Sequence, residues 1–134
     1  MAGAPSPERQ RLAELIVTRE QTREELERLQ RAAPRAMHAA WDADAAITEA
    51  EVALWRIEQA AMEHRVLVLS GDAVDPPHDV AKAREALASA RENAATADAI
   101  RKRIDTRLRE LQVDLPTRQN FVRSAAVAVP RSLS

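Results

Sequence analysis

A heptad repeat of small and apolar residues constrains this chain more than any other feature, because it continues from Leu12 to Val68 without a shift in phase. An apolar seam at heptad positions a and d is typical of helices that pack against other helices as coiled coils do. The a positions are Leu12, Arg19, Leu26, Ala33, Ala40, Ile47, Leu54, Ala61 and Val68, and the d positions are Leu15, Thr22, Leu29, Ala36, Ala43, Ala50, Ile57 and His64.

The same repeat starts again at Val80. Its a positions are Val80, Leu87, Ala94, Arg101, Leu108 and Leu115, and its d positions are Ala83, Ala90, Ala97, Ile104 and Leu111. The chain contains two glycines and almost no run of β-branched or aromatic residues, a composition that favours helices over strands. The sequence therefore predicts an all-α fold.

Capping residues predict where the helices begin and end. Ser6 followed by Pro7 is typical of a helix start, and Gly71 suits the left-handed residue just after a helix end. Asp75 followed by Pro76 predicts a second start, and Pro116 predicts a stop. We expect a flexible arm (1–6), a single helical domain (7–115) with helices over about 7–33, 35–69 and 76–113, and a short amphipathic tail (116–134).

Pro34 interrupts the first repeat. A proline inside a helix costs about 3 kcal/mol, so the sequence predicts a sharp kink or a break near residues 31–34.

A short connector between two long stripes predicts an antiparallel coiled-coil-like hairpin. A turn centred near Ala73 would place Lys102 beside Asp44, and the segment 101–109 along Asp42 and Asp44. Alanine-rich seams bury little area, so two helices alone would be marginally stable. We therefore expect the hairpin to be extended to a three-helix bundle by the N-terminal segment, or to an oligomeric bundle.

Two tryptophans lie outside the seam. Trp41, Trp55 and Met62 share heptad position b, and Ala45, Val52 and Val66 lie beside them at f. This second apolar stripe faces away from the partner helix of a simple hairpin, so it predicts an interaction surface. It would be covered by the N-terminal helix folded back at Pro34, by the tail that carries Phe121, or by another subunit. The predicted interaction residues are Trp41, Val52, Trp55, Met62, Val66 and Phe121.

Charge and composition narrow the class of protein. There are 20 basic and 21 acidic residues, which gives a net charge of -1 and no field that would attract nucleic acid or an anionic membrane. The chain has no cysteine, which excludes disulfides and thiolate chemistry. It has no long apolar segment and no signal-peptide pattern at its start, so we expect a soluble cytoplasmic protein. The excess of arginine over lysine and the abundant alanine are typical of a GC-rich bacterial or phage gene; in the phage case the location would be the virion.

The run RKRIDTRLRE at 101–110 supports an alternative function. A nucleic-acid-associated helical protein would use Arg101, Lys102, Arg103, Arg107 and Arg109. Acidic residues interrupt the run and no aromatic residue is near, which favours a solvated or ion-paired helix face. A steep salt dependence of DNA or RNA binding would support the alternative. A third hypothesis, attachment of the apolar tail to a membrane or granule surface, is tested by flotation with lipid vesicles.

No pattern in the sequence indicates catalysis or a bound metal. His38, His64 and His78 lack the spacing of metal ligands, and Asp72, Asp75 and Asp79 lack the spacing of a calcium loop. We therefore predict no catalytic residue, no cofactor and no metal. The expected function is that of a non-catalytic structural, assembly or adaptor protein, a phage or bacterial component, that packs against itself or another helical protein.

Overall fold

The protein is an all-helical hairpin. The computed structural model describes residues 6–71 and 79–129. They form two helices, α1 (Pro7–Leu69) and α2 (Val80–Ala128), which pack against each other. The all-α hairpin is thus confirmed, and the described residues contain no third helix. The predicted arm at 1–5, the roles given to Asp72, Asp75, Pro76 and His78, and the end of the tail at 130–134 lie outside the described residues.

Burial follows the heptad repeat closely. Every a and d position from Leu12 to His64 is buried or half-buried, and so is every assigned a and d position of α2. Val68, the last a position of α1, is exposed. The buried apolar side chains are Leu26, Ala36, Ala40, Ala83, Leu87, Ala94, Leu111 and Val122.

The prediction of a break at Pro34 is wrong. Helix α1 continues through Pro34, which is exposed, while Ala33 and Ala36 on either side stay in the seam. The proline ring deprives the carbonyl of Gln30 of its usual donor, but Gln30 is also exposed, so water can bind that oxygen. Because α1 is one helix, the N-terminal segment does not fold back as a separate third helix.

The predicted end of the second helix near residue 113 is also wrong. Helix α2 continues through Pro116 to Ala128, so most of the predicted tail belongs to it. The heptad explains why: Val122 falls on the next a position and is buried, and the next two d positions, Arg118 and Ala125, are half-buried. Pro116 itself is exposed, and the hydroxyl of the following Thr117 donates to the carbonyl of Val113 at 3.3 Å.

The helix ends of α1 agree with the predicted caps. The Arg9 amide donates to Ser6 Oγ at 3.2 Å, and Gly71 has a φ of 82°. At the start of α2, Asp79 Oδ1 accepts from the Lys82 amide at 3.1 Å, which makes Asp79 the N-cap of the described helix. The start predicted at Asp75 and Pro76 lies outside the described residues.

The chain divides into two compact units. The first unit comprises Met1–Pro34 and Arg103–Ser134, and the second comprises Arg35–Lys102. Each unit contains an ion pair between α1 and α2, Glu25 with Arg107 in the first and Glu58 with Arg84 in the second.

These ion pairs correct the predicted register. Lys102 binds Asp98 of its own helix at 2.9 Å rather than Asp44, and Arg107 binds Glu25 rather than the Asp42 region. Residues 70–79 separate the two helices, and a connector of that length permits several registers. The midpoint of the connector was therefore a poor guide to the register.

Polar residues in the seam are satisfied within their own helices. The buried Thr22 donates its hydroxyl to the carbonyl of Thr18 at 2.9 Å. Arg19 pairs with Glu20 at 3.1 Å and Arg101 with Asp98 at 2.9 Å. These contacts give the polar groups at a and d positions their partners.

Candidate interaction surface

One face of α1 in the second unit carries an exposed apolar stripe. We call it the tryptophan stripe; it consists of Trp41, Ala45, Val52, Trp55, Met62 and Val66. From first residue to last it extends about 37 Å along the helix axis, at 1.5 Å per residue. Positions b and f lie roughly 150° around the helix from the a/d seam, at about 100° per residue. The packing that holds the hairpin together therefore leaves this stripe uncovered.

The largest side chains of the stripe are mostly in solvent. Trp41 is 59% exposed, Trp55 62% and Met62 63%, and both valines are exposed as well. Large aromatic side chains are normally among the well-buried residues of a small domain. Two exposed indoles and an exposed methionine on one helix face form an apolar surface of the kind that marks interaction sites.

Local contacts position the two ends of the stripe. At its N-terminal end, the rings of His38 and Trp41 meet edge to face, with centroids 5.3 Å apart and an interplanar angle of 89°. At its C-terminal end lies an open groove of about 350 Å³, lined by Gln59, Met62, Glu63, Val66 and Leu67. The stripe thus combines projecting rings with a concave site.

Charged residues border the stripe on both sides. One border has Asp44, Glu51, Glu58 and Arg65 at position e, and the other has Asp42, Glu49, Arg56 and Glu63 at position c. Glu58 also pairs with Arg84 of α2 at 3.7 Å. An apolar centre with a charged rim resembles the arrangement found in protein interfaces.

Three elements were predicted to cover the tryptophan stripe. The first, the N-terminal helix folded back at Pro34, is contradicted because α1 is one continuous helix. The tail residue Phe121, the sixth predicted interaction residue, belongs to the first unit and is itself 53% exposed. There it lines a groove of about 240 Å³ together with Glu8, Arg11, Leu15, Ser124, Ala125 and Ala128. This groove was not predicted from the sequence, because the second helix was expected to end before Phe121. Leu67 was not predicted either, because its g position adjoins the seam rather than the stripe.

Much of the basic run is ion-paired. In the second unit, Arg101 and Lys102 both bind Asp98 at 2.9 Å, and the hydrogen bonds from Lys102 and then Arg101 lower the pKa of the Asp98 carboxyl. In the first unit, Arg107 binds Glu25 and also Glu110 at 3.1 Å. Arg103 and Arg109 are exposed. The alternative nucleic-acid site thus has three of its five cations already bound to carboxylates.

Within residues 6–71 and 79–129, no three His, Asp or Glu side chains lie close enough together to hold a metal ion. No helix in that part of the chain is both long and apolar enough to cross a membrane.

Comparison with known proteins adds no relative. The sequence matches no protein-family model and no curated protein, and no solved structure matches the chain.

Proposed function

We propose that this chain is a non-catalytic assembly or adaptor protein that acts by helix packing, and that the tryptophan stripe is the surface that binds its helical partner. The observation that carries the proposal is the exposure of Trp41, Trp55 and Met62 on one face of α1.

Energetics supports this role for the stripe. Burying apolar surface contributes about 25 cal/mol per Å², and a fully buried indole removes roughly 150–250 Å² from water. Because about three fifths of each indole is exposed, most of that contribution is still available to a partner. Tryptophan is also enriched among the residues that dominate binding energy in protein interfaces.

The geometry favours a helical partner over a small molecule. The stripe is long and narrow, and its apolar residues recur at intervals of three, four and seven along the helix. That spacing is complementary to a second helix lying along α1, whose own apolar stripe would alternate with it. The charged borders at positions c and e would then flank the contact.

Photo-cross-linking tests the proposal. A photoreactive phenylalanine analogue is placed at Trp55 in the full chain, which is expressed in its native cells. We expect irradiation to attach a polypeptide at this position, either a second copy or a different protein. The matched control carries the analogue at Val113, an exposed apolar residue of α2 outside the stripe, and should give no product. Absence of any product from position 55 would remove the proposal.

Alanine substitution measures the contribution of the indoles. Trp41→Ala or Trp55→Ala should weaken association with the cross-linked partner by more than about 1 kcal/mol, which is more than about fivefold in Kd. Val17→Ala, another exposed apolar residue of α1, is the control and should leave Kd unchanged. Unchanged affinity with both tryptophans replaced would contradict the proposal.

A further inference from the structure

We infer that the occupant of the tryptophan stripe is a second copy of this chain, with the two α1 helices antiparallel. This inference rests on the proposed function and goes further by naming the partner and its alignment.

Side-chain volumes favour the antiparallel alignment. When Trp41 faces Val66 of the second copy, the same alignment places Trp55 opposite Val52 and Met62 opposite Ala45. Each large side chain then meets a smaller one, and the twofold symmetry repeats every pair. A parallel alignment in register would instead stack tryptophan on tryptophan and alanine on alanine, which gives crowded layers next to voids.

The groove at the end of the stripe fits this alignment. Met62 and Val66 line the open site of about 350 Å³, and Val66 is the residue that Trp41 of the second copy would face. A projecting indole at one end of the stripe and a concave site at the other suit an antiparallel pair, in which each end meets its complement. The remaining layer pairs Thr48 with Gln59, two polar side chains able to share a hydrogen bond and fix the alignment.

The charged borders give further support. The antiparallel alignment brings Asp44 beside Arg65 and Glu49 beside Arg56 of the second copy. It also places Glu51 near Glu58, where Arg84 already compensates the Glu58 carboxylate.

The antiparallel alignment thus has two attractive pairs and two like-charged pairs, Glu51 with Glu58 and Asp42 with Glu63. The parallel alignment has a single attractive pair, Glu51 with Arg56. It sets Asp44 against Glu49 and Glu58 against Glu63. The charge pattern therefore favours the antiparallel pair.

The exposed indoles supply a substantial share of the area that a stable dimer needs. Four indoles, each about three fifths exposed, offer on the order of 500 Å² before the methionines, valines and borders are counted. Stable interfaces begin at roughly 1,200 Å² in total, so the tryptophans alone supply a large part of that area.

Disulfide formation between single-cysteine variants tests the alignment, and the absence of native cysteine keeps the result unambiguous. Ala45→Cys and Met62→Cys are prepared separately, mixed, and equilibrated in a thiol–disulfide buffer, and the disulfide-linked species are identified by intact mass spectrometry under non-reducing, denaturing conditions. We expect a mixed disulfide between positions 45 and 62, and little homodimer from either variant alone. Homodimers from each variant alone would show a parallel pair and overturn the inference.

The two proposals fail differently in these experiments. If no disulfide forms but position 55 cross-links to a different protein, the second copy is excluded and the proposed function stands. If position 55 cross-links to nothing, the proposed function itself falls.

Charge reversal provides a second test that leaves the indoles unchanged. Asp44→Arg and Arg65→Asp should each weaken self-association by at least about tenfold, because each creates two like-charged pairs, one at each end of the interface. The double variant Asp44→Arg/Arg65→Asp restores opposite charges and should recover most of the affinity. A double variant as weak as the single ones would overturn the alignment.

Discussion

Leu111 shows how much of the stability of this hairpin depends on single side chains. It is 1% exposed, while many of the other seam positions hold alanine or are only half-buried. A seam built largely from alanine brings helices close together but buries little apolar area per residue, so its few leucines contribute disproportionately.

Replacing Leu111 should therefore be costly. We expect Leu111→Ala to lower the free energy of unfolding by about 2–5 kcal/mol through lost burial and a residual cavity. The change in the free energy of unfolding is measured by urea denaturation, monitored by far-ultraviolet circular dichroism. Val113→Ala, two residues away but 73% exposed, should change the free energy by less than about 0.5 kcal/mol. Equal effects of the two variants would contradict the position of Leu111 in the core.

The ion pair between Glu25 and Arg107 predicts a pH dependence. Arg107 Nε and Nη2 donate to the two carboxylate oxygens of Glu25 at 2.7 and 2.9 Å. These hydrogen bonds lower the pKa of Glu25 below its ordinary value of 4.5. A lowered carboxyl pKa stabilises the folded state above the unfolded pKa, and that contribution disappears as the pH falls through the folded pKa.

Thermal unfolding of the Glu25→Gln variant tests the direction of this pH dependence of stability. The variant should have a lower Tm than the parent at pH 7, and the difference should shrink below about pH 4.5 and in high salt. Glu24→Gln is the neighbouring control and should show no such pH-dependent difference. A difference that grew toward low pH would contradict the assignment.

At the scale of the helix, both internal prolines are tolerated because they lie on exposed faces. The seam residues on either side continue in phase, so packing outweighs the local cost of the missing amide and the ring. Each proline still removes one backbone hydrogen bond from its helix.

Removing either proline should therefore stabilise the protein. Pro34→Ala and Pro116→Ala should each raise the free energy of unfolding, by up to roughly 3 kcal/mol. Pro7→Ala is the control: Pro7 is the first residue of α1, where proline is favourable, and its replacement should change little. Loss of stability in Pro34→Ala would show that the proline has a structural role at that position.

The helices also show what the sequence could and could not predict. The seam, the Ser6 cap and the left-handed Gly71 follow from periodicity and local geometry, and they were predicted correctly. The ends at Pro34 and Pro116 were misjudged because a local helix-breaking preference was given more weight than the continuing heptad. The register of the two helices depends on packing between distant segments, which the heptad alone does not specify.

At the scale of the whole molecule, the candidate site also has features that follow from residue spacing and features that depend on packing in space. The side chains of the stripe could be placed on one helix face from their spacing. The groove at Met62 and Val66 and the ion pair that compensates Glu58 required the structure, because they depend on side-chain positions in space.

Self-association predicts that stability depends on protein concentration. Binding between folded copies stabilises the folded state by mass action, so the Tm of the parent protein should rise as its concentration is increased. The variant with both Trp41→Ala and Trp55→Ala should have a Tm that does not change with concentration. Scanning calorimetry over a hundredfold range measures both, and parallel behaviour of parent and variant would contradict association through the stripe.

The position of the two tryptophans has one more consequence. They are the only indoles in a chain that has no tyrosine, and both lie on α1 within the second unit. The intrinsic fluorescence of the protein therefore comes from this one surface and should have the red-shifted emission of water-exposed indoles. Docking of a partner would shift the emission to the blue. A change confined to the packing around Leu111 in the first unit would leave the tryptophan emission unchanged. The protein thus carries its own optical probe of the event that we propose it performs.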